Sequence, residues 1–154
     1  DVLQPMYSLV KRQAEVEIFP LALAENIGVI SYSAVAAGLL SGKYGKGRRP
    51  DVGRVVSNDK YATRYSEDWF VDTAEAFTGL AAELGVHPVS LAVAWAGAHP
   101  AVTSPIFGAR NVDQLQPSLA SVEVEMTPAL HARIAALSRT PPPATDRLEE
   151  QDRL

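Results

Sequence analysis

Cysteine is absent from the 154 residues, which excludes disulfides, zinc fingers and thiol catalysis. The absence suits an intracellular, cytoplasmic protein. Aromatic residues are scarce at 7%, and no apolar run approaches the roughly 18 residues of a membrane span. No signal-peptide pattern precedes the first motif, and the chain starts at Asp1. A basic excess is lacking too: 14 Lys and Arg against 18 Asp and Glu give a net charge of −4. Bulk nucleic-acid binding needs a net basic surface and is not expected. What is there is a 47% hydrophobic fraction, enough for a core and incompatible with a disordered chain. The length fits one domain.

Short apolar segments alternate with helical patterns, which indicates an α/β chain. Val2-Leu3-Gln4, Val29-Ile30-Ser31 and residues 102–106 read as strands, the last despite Pro105. A helix is expected over residues 14–25, begun or kinked by Pro20. Residues 42–65 have no periodicity and hold several Gly and a Pro, the mark of a long loop that is either functional or disordered. Ser66 is the expected N-cap of the next helix, with Glu67 and Asp68 in its first turn. Its apolar face runs Phe70, Ala74, Phe77, Ala81, Leu84, and Gly85 ends it. Pro88 opens a second helix, apolar on several sides through Val89, Leu91, Ala92, Val93, Trp95 and Ala96. Residues 112–119 and 127–137 are further helices. Residues 139–154 form a C-terminal tail, proline-rich from Pro141 and then charged, that reads as a surface arm or a mobile end. A three-stranded parallel sheet has two open edges and makes a thin fold by itself. A complete (β/α)₈ barrel takes roughly 200–250 residues or more, so this chain supplies only part of one.

Gly38-Leu39-Leu40-Ser41-Gly42-Lys43-Tyr44 invites a phosphate-loop reading, which the spacing rejects. The Walker pattern needs four residues between its glycines and a Ser or Thr after the Lys. Here three intervene and Tyr44 follows, so the magnesium hydroxyl is missing. The stretch still suits an anion. Ala34, Ala36, Ala37 and Gly38 allow close backbone approach, and Lys43, Lys46, Arg48, Arg49 and Arg54 crowd the segment after them.

Three blocks, in order, resemble the aldo-keto reductases. Gln4-Pro5-Met6-Tyr7-Ser8-Leu9 resembles their Q-P-x-Y-[SN]-L element. Residues 27–33 and 38–44 resemble their G-V-I-x-Y-S-P-L-x-x-G-L-L-T-G-K-Y block. Residues 93–95 and 100–110, continuing into Asp113-Gln114-Leu115, resemble their last strand and its G-A-R turn. The resemblance covers residues 1–138 and implies the C-terminal half of a (β/α)₈ TIM barrel, strands six to eight. It implies an NADPH-dependent reductase of aldehydes or ketones. By position, Gln4 would hold the nicotinamide carboxamide and Tyr32 would stack on the nicotinamide ring. Ser33, Gly38 and Lys43 would meet the pyrophosphate, with loop 42–65 covering the cofactor. Gly108 and Arg110 would lie near the adenosine 2′-phosphate, which suits the planar fork of Arg, and Gln114 would contact the adenosine side.

The chain departs from that pattern in three places. Ala34-Val35 stand where the family has Pro-Leu. Pro117 and Ser118 stand where an acidic residue and an Asn hold adenine. That change removes two hydrogen bonds, each worth about 0.5–1.5 kcal/mol, and leaves the choice between NADP and NAD open. The family's catalytic Tyr, Lys, Asp and His belong to the first half of the barrel, and no segment here matches their motifs. His87, His99 and His131 read as structural or solvated, and Tyr7, Tyr44, Tyr61 and Tyr65 lie in no catalytic motif. No metal-ligand set is identified. The expectation is therefore a cofactor-clasping piece of a reductase, inactive by itself, whose partners are the cofactor, a carbonyl substrate and an N-terminal half-barrel. The alternative is a non-catalytic nucleotide-binding or accessory module.

Overall fold

In a computed structural model, which describes residues 1–143, three parallel strands form one sheet in the order β1-β2-β3. They are β1 (Val2–Leu3), β2 (Gly28–Tyr32) and β3 (Ser104–Ile106). Val2 pairs with Gly28 and Leu3 with Val29. Ile30, Ser31 and Tyr32 pair with Ser104, Pro105 and Ile106. Pro105 is tolerated because β3 is an outer strand. Thr103 extends this join: its N–H donates to the Val29 carbonyl at 2.8 Å, and its Oγ1 accepts from the Val29 N–H at 3.1 Å.

Helices fill the crossovers. Between β1 and β2 lies α1 (Ile18–Ala24), preceded by a separate 3-10 turn, Gln13–Glu15. The single helix expected over residues 14–25 is therefore two pieces. Pro20 sits in the first turn of α1, where its missing N–H costs no bond. Between β2 and β3 lie α2 (Arg54–Ser57), α3 (Asp59–Arg64), α4 (Asp68–Glu83) and α5 (Pro88–Gly97). The long loop expected over residues 42–65 thus contains two short helices. Asn58 separates them, its Oδ1 capping α3 by accepting from the Lys60 N–H at 3.1 Å.

The cap of α4 also differs from expectation. Glu67 is the N-cap, and the Ser66 hydroxyl donates back to the Thr63 carbonyl at 3.0 Å. Phe70, Ala74, Phe77 and Ala81 are buried as their spacing requires. Leu80 is buried beside them, while Leu84, beyond the last turn, is partly exposed. α5 is apolar almost all round because it is enclosed: Leu91, Ala92, Val93, Trp95 and Ala96 are all buried. Gly97 lets it approach β3, since a Cβ there would lie 3.3 Å from the Pro105 ring. After β3 come α6 (Val112–Leu119) and α7 (Pro128–Ala135), each capped by a side chain, Asn111 and Thr127. Residues 141–143 have no regular structure, and the rest of the expected surface arm, 144–154, lies outside the described residues.

An aromatic cluster ties the ends of the chain together. Tyr7, fully buried, stacks on Trp95 at 5.1 Å and meets Phe19 edge-on at 4.8 Å. His131 of α7 stacks on the other partner, Trp95, at 5.1 Å. The Trp95 Nε1–H donates to the His131 carbonyl at 3.2 Å. The Tyr7 hydroxyl donates to Glu15 Oε1 at 2.7 Å, and Arg12 donates to both Glu15 oxygens at 2.9 Å. Arg12 also reaches the Ala135 carbonyl at 3.2 Å, so a single guanidinium links the first and last thirds of the fold.

Candidate functional site

β2 and β3 end beside one another, and the segments leaving them diverge around a cavity of about 530 Å³. This is the end of a parallel α/β sheet where ligands bind, because side chains and loop amides converge there. Ser33, Gly38, Lys43, Gly108, Arg110 and Gln114 all line it. Of the eight residues singled out in the sequence, Gln4 and Tyr32 lie outside that lining. Gln4 is exposed just after β1. Tyr32 is 37% exposed at the end of β2, so it is not a core tyrosine. Its backbone is fixed on both sides: its N–H donates to the Pro5 carbonyl, and its carbonyl accepts from the Tyr7 N–H, each at 3.0 Å. These bonds hold the segment after Gln4 beside Tyr32.

The turn after β2 is backbone-strained. Ser33 (φ 70°), Ala36 (φ 51°) and Ala37 (φ 57°) occupy the left-handed region, and Gly38 (φ 98°) follows. Such backbone costs a non-glycine residue roughly 1–3 kcal/mol and is found where the surroundings over-determine it. Small side chains are what make it tolerable here. The Ala36 N–H donates to the Ser33 carbonyl at 2.7 Å, and the Gly38 N–H to the Val35 carbonyl at 3.0 Å, closing two tight turns against the cavity.

Four of the five basic residues of the segment sort into two sets, and Arg49 belongs to neither. Lys46 pairs with Asp72 at 3.0 Å and Arg48 with Glu75 at 2.6 Å, both acids belonging to α4. Gly45 makes the second pair possible, because a Cβ there would collide with Glu75 and Arg48. Lys43 and Arg54 instead line the cavity, with Arg110 on the facing wall. None of these three is in an ion pair among the described residues. Asp113 is the single carboxylate among the lining residues. A cavity with three unpaired cations and one acid attracts an anion, and phosphate is the form that Arg and Lys bind in common.

α6 forms the far wall. The Asn111 Oδ1 caps it by accepting from the Gln114 N–H at 3.0 Å, and the Gln114 Oε1 accepts from the Arg110 N–H at 3.3 Å. Gln114 thereby fixes the backbone from which Arg110 projects. Pro117, inside the helix, lacks an N–H, so the Asp113 carbonyl loses its helical partner. The Pro117 carbonyl accepts from the Ser90 hydroxyl at 2.6 Å, which binds the wall to α5. Pro117 and the buried Ser118 both line the cavity, as do Ala34 and Val35.

His99 and His131 have structural surroundings, while His87 is exposed and lines the cavity. The His87 Nδ1 caps α5 by accepting from the Val89 N–H at 3.1 Å. The His99 Nδ1 accepts from the Ala101 N–H at 3.2 Å, and its ring lies 4.5 Å from Phe19. Burial lowers the pKa of His99 and of His131, opposed in both by Glu15. Burial, with the Glu15 carboxylate beside it, drives the Tyr7 phenol far above its ordinary range, so it stays protonated. Sequence reasoning missed Tyr65, which is buried with its hydroxyl 3.2 Å from Ser33 Oγ. No local pattern could reveal a contact between residues 32 apart.

The family model described as the aldo/keto reductase family matches residues 1–139. Because that match begins with the first residue, it does not bear out the expected C-terminal position within the domain. An uncharacterized oxidoreductase, YrpG, of Bacillus subtilis is 36% identical over 126 residues, covering 80% of this chain and 36% of that protein. A probable voltage-gated potassium channel subunit beta of Oryza sativa subsp. japonica is 33% identical over 149 residues, covering 93% and 45%. The protein tas of Escherichia coli is 30% identical over 135 residues, covering 88% and 39%. The chain thus spans less than half the length of the curated relatives it matches. The solved structure of the glycerol dehydrogenase AKR11B4 from Gluconobacter oxydans superposes with a TM-score of 0.72 at 23% identity. It is matched over 94% of this chain and 45% of that one, a likeness of fold.

Proposed function

Since the chain belongs to the aldo/keto reductase family, we propose that it is the cofactor-holding part of an NADPH-dependent reductase of aldehydes or ketones. The observation that carries the reading is the convergence of Ser33, Gly38, Lys43, Arg54, Gly108, Arg110 and Gln114 on one cavity. The residues present fit a dinucleotide phosphate: a tight turn of small residues for the pyrophosphate, and unpaired cations on two walls for its charge. Arg110, held by Gln114, takes the 2′-phosphate. Lys43 and Arg54 approach from the segment that crosses the cavity, and Pro117 offers its ring face to the adenine. Gln4 and Tyr32 receive the nicotinamide at the strand ends. The cofactor, when bound, supplies the hydride.

Carbonyl reduction also needs a proton donor within hydrogen-bond reach of the substrate oxygen. Tyr7 is sealed in the core and bonded to Glu15; Lys43, Tyr44, His87 and Asp113 all line the cavity, but among the described residues no hydrogen bond or ion pair joins them into a catalytic group. The donor therefore comes from the remaining strand–helix units, and the isolated chain binds without turning over. This reading keeps the chain in the cytoplasm, as its lack of cysteine suggests. The similarity to a probable voltage-gated potassium channel subunit beta of Oryza sativa, together with Pro117 and Ser118, favours as a second reading an accessory module that holds the nucleotide. Titration calorimetry with NADPH tests what the readings share. One-to-one binding that Arg110→Ala weakens more for NADPH than for NADH is expected. No binding, with the rest of a barrel supplied in trans or fused, would overturn both.

A further inference from the structure

The hydroxyls of Tyr65 and Ser33 are the one side-chain link between the segment that crosses the cavity and the turn after β2 among the hydrogen bonds of the described residues. Tyr65 is the C-cap of α3, 5% exposed, and its ring is held from two sides. Phe70 meets it edge-on at 6.0 Å, and the Lys11 ammonium lies 5.9 Å from its centroid. The ring has no freedom to serve as a surface residue. Its hydroxyl is therefore aimed at Ser33 Oγ by packing rather than by chance. Ser33 is the first left-handed residue of the strained turn and a lining residue of the cavity.

Burial raises the Tyr65 pKa, so the phenol keeps its proton across the working pH range. Either hydroxyl can donate in this pair, and with the phenol donating to Ser33 Oγ the serine proton is free to point into the cavity. The phenol also strengthens that second bond, because chained hydroxyls polarise one another. Resting on the reading of the cavity as a cofactor site, we propose that Tyr65 is a positioning residue. It fixes the Ser33 hydroxyl as a donor toward the anionic ligand and couples the crossing segment to the strained turn. Tyr65 itself touches no ligand, being absent from the cavity lining.

Tyr65→Phe keeps the ring, and with it the packing on Phe70 and Lys11, and removes one oxygen. Two measurements on the full chain decide the matter. Amide hydrogen exchange without cofactor reads the turn directly: residues 33–38 exchange several-fold faster in Y65F, with α4 unchanged. Unchanged exchange at the turn overturns the proposal whether or not NADPH binds. Calorimetry with NADPH then reads the coupling. Y65F and Ser33→Ala each weaken binding about 3- to 10-fold, and the double variant is no weaker than S33A alone. Losses that add, or an affinity that Y65F leaves untouched, reduce Tyr65 to a purely structural role and overturn the proposal. Absence of NADPH binding by the unmodified chain would instead defeat the cofactor reading, while the exchange experiment still decides whether Tyr65 orders the turn.

Discussion

Two regions of this molecule use the same residue types to opposite ends. Around Tyr7 and Trp95, an arginine, a glutamate, a tyrosine and two histidines are packed so that charge is cancelled inside the protein. Around the cavity, Lys43, Arg54 and Arg110 stand without ion-pair partners among the described residues, and the backbone beside them is strained. The first region spends its polar groups on holding the chain together. The second leaves them unsatisfied, which is how a binding site differs from a core. One short block supplies both: Gln4 is exposed near the cavity end of the sheet, and three residues later Tyr7 is fully buried.

Changes to the aromatic cluster test stability and changes to the cavity test binding. The largest effect is expected from Trp95→Ala, which empties the centre of the cluster. A loss of about 3–5 kcal/mol in urea unfolding is expected, enough to unfold a marginal domain. A stable W95A chain would break the distinction at its strongest point. Next is Arg110→Ala, with an unchanged unfolding midpoint and NADPH affinity down by roughly tenfold, the size of a charge-assisted bond. An unfolding shift of comparable size would put Arg110 in the wrong region.

Acid should act on the cluster alone. His99 and His131 have folded pKa values below their ordinary 6.5, since burial disfavours their charged forms. The unfolded chain therefore binds more protons, and stability falls as the pH drops below about 6.5. The thermal midpoint is expected to decline between pH 7 and pH 5, and His131→Phe to flatten that slope. An equally steep slope in H131F would remove His131 from the account. The smallest effect belongs to Lys46→Ala, whose exposed pair with Asp72 is worth about 0–1 kcal/mol. Denaturant midpoints that move by more than that would show the crossing segment to be part of the core.

The sequence made legible whatever is local and repeated. Pro88 marks the first residue of α5, and α6 occupies the expected span 112–119. Periodicity needs length, so the helices of four and six residues at 54–57 and 59–64 could not be read. Ser66 has the right chemistry for a cap, but Thr63 offered its hydroxyl another acceptor. In the site, motif position brought six of eight residues to one cavity. It could not say that Lys46 and Arg48 would be neutralised, because Asp72 and Glu75 lie on a separate helix, which begins only at Asp68. The Tyr65–Ser33 contact was invisible for the same reason: it belongs to the tertiary fold.

The outer sides of β1 and β3 have no partner strand among the described residues. Each presents backbone amides and carbonyls ready to pair with any extended peptide. Colloidal behaviour should follow from this. On concentration the two ladders would compete for neighbours, so solubility, more than folding, is expected to set how much of the chain a solution can hold.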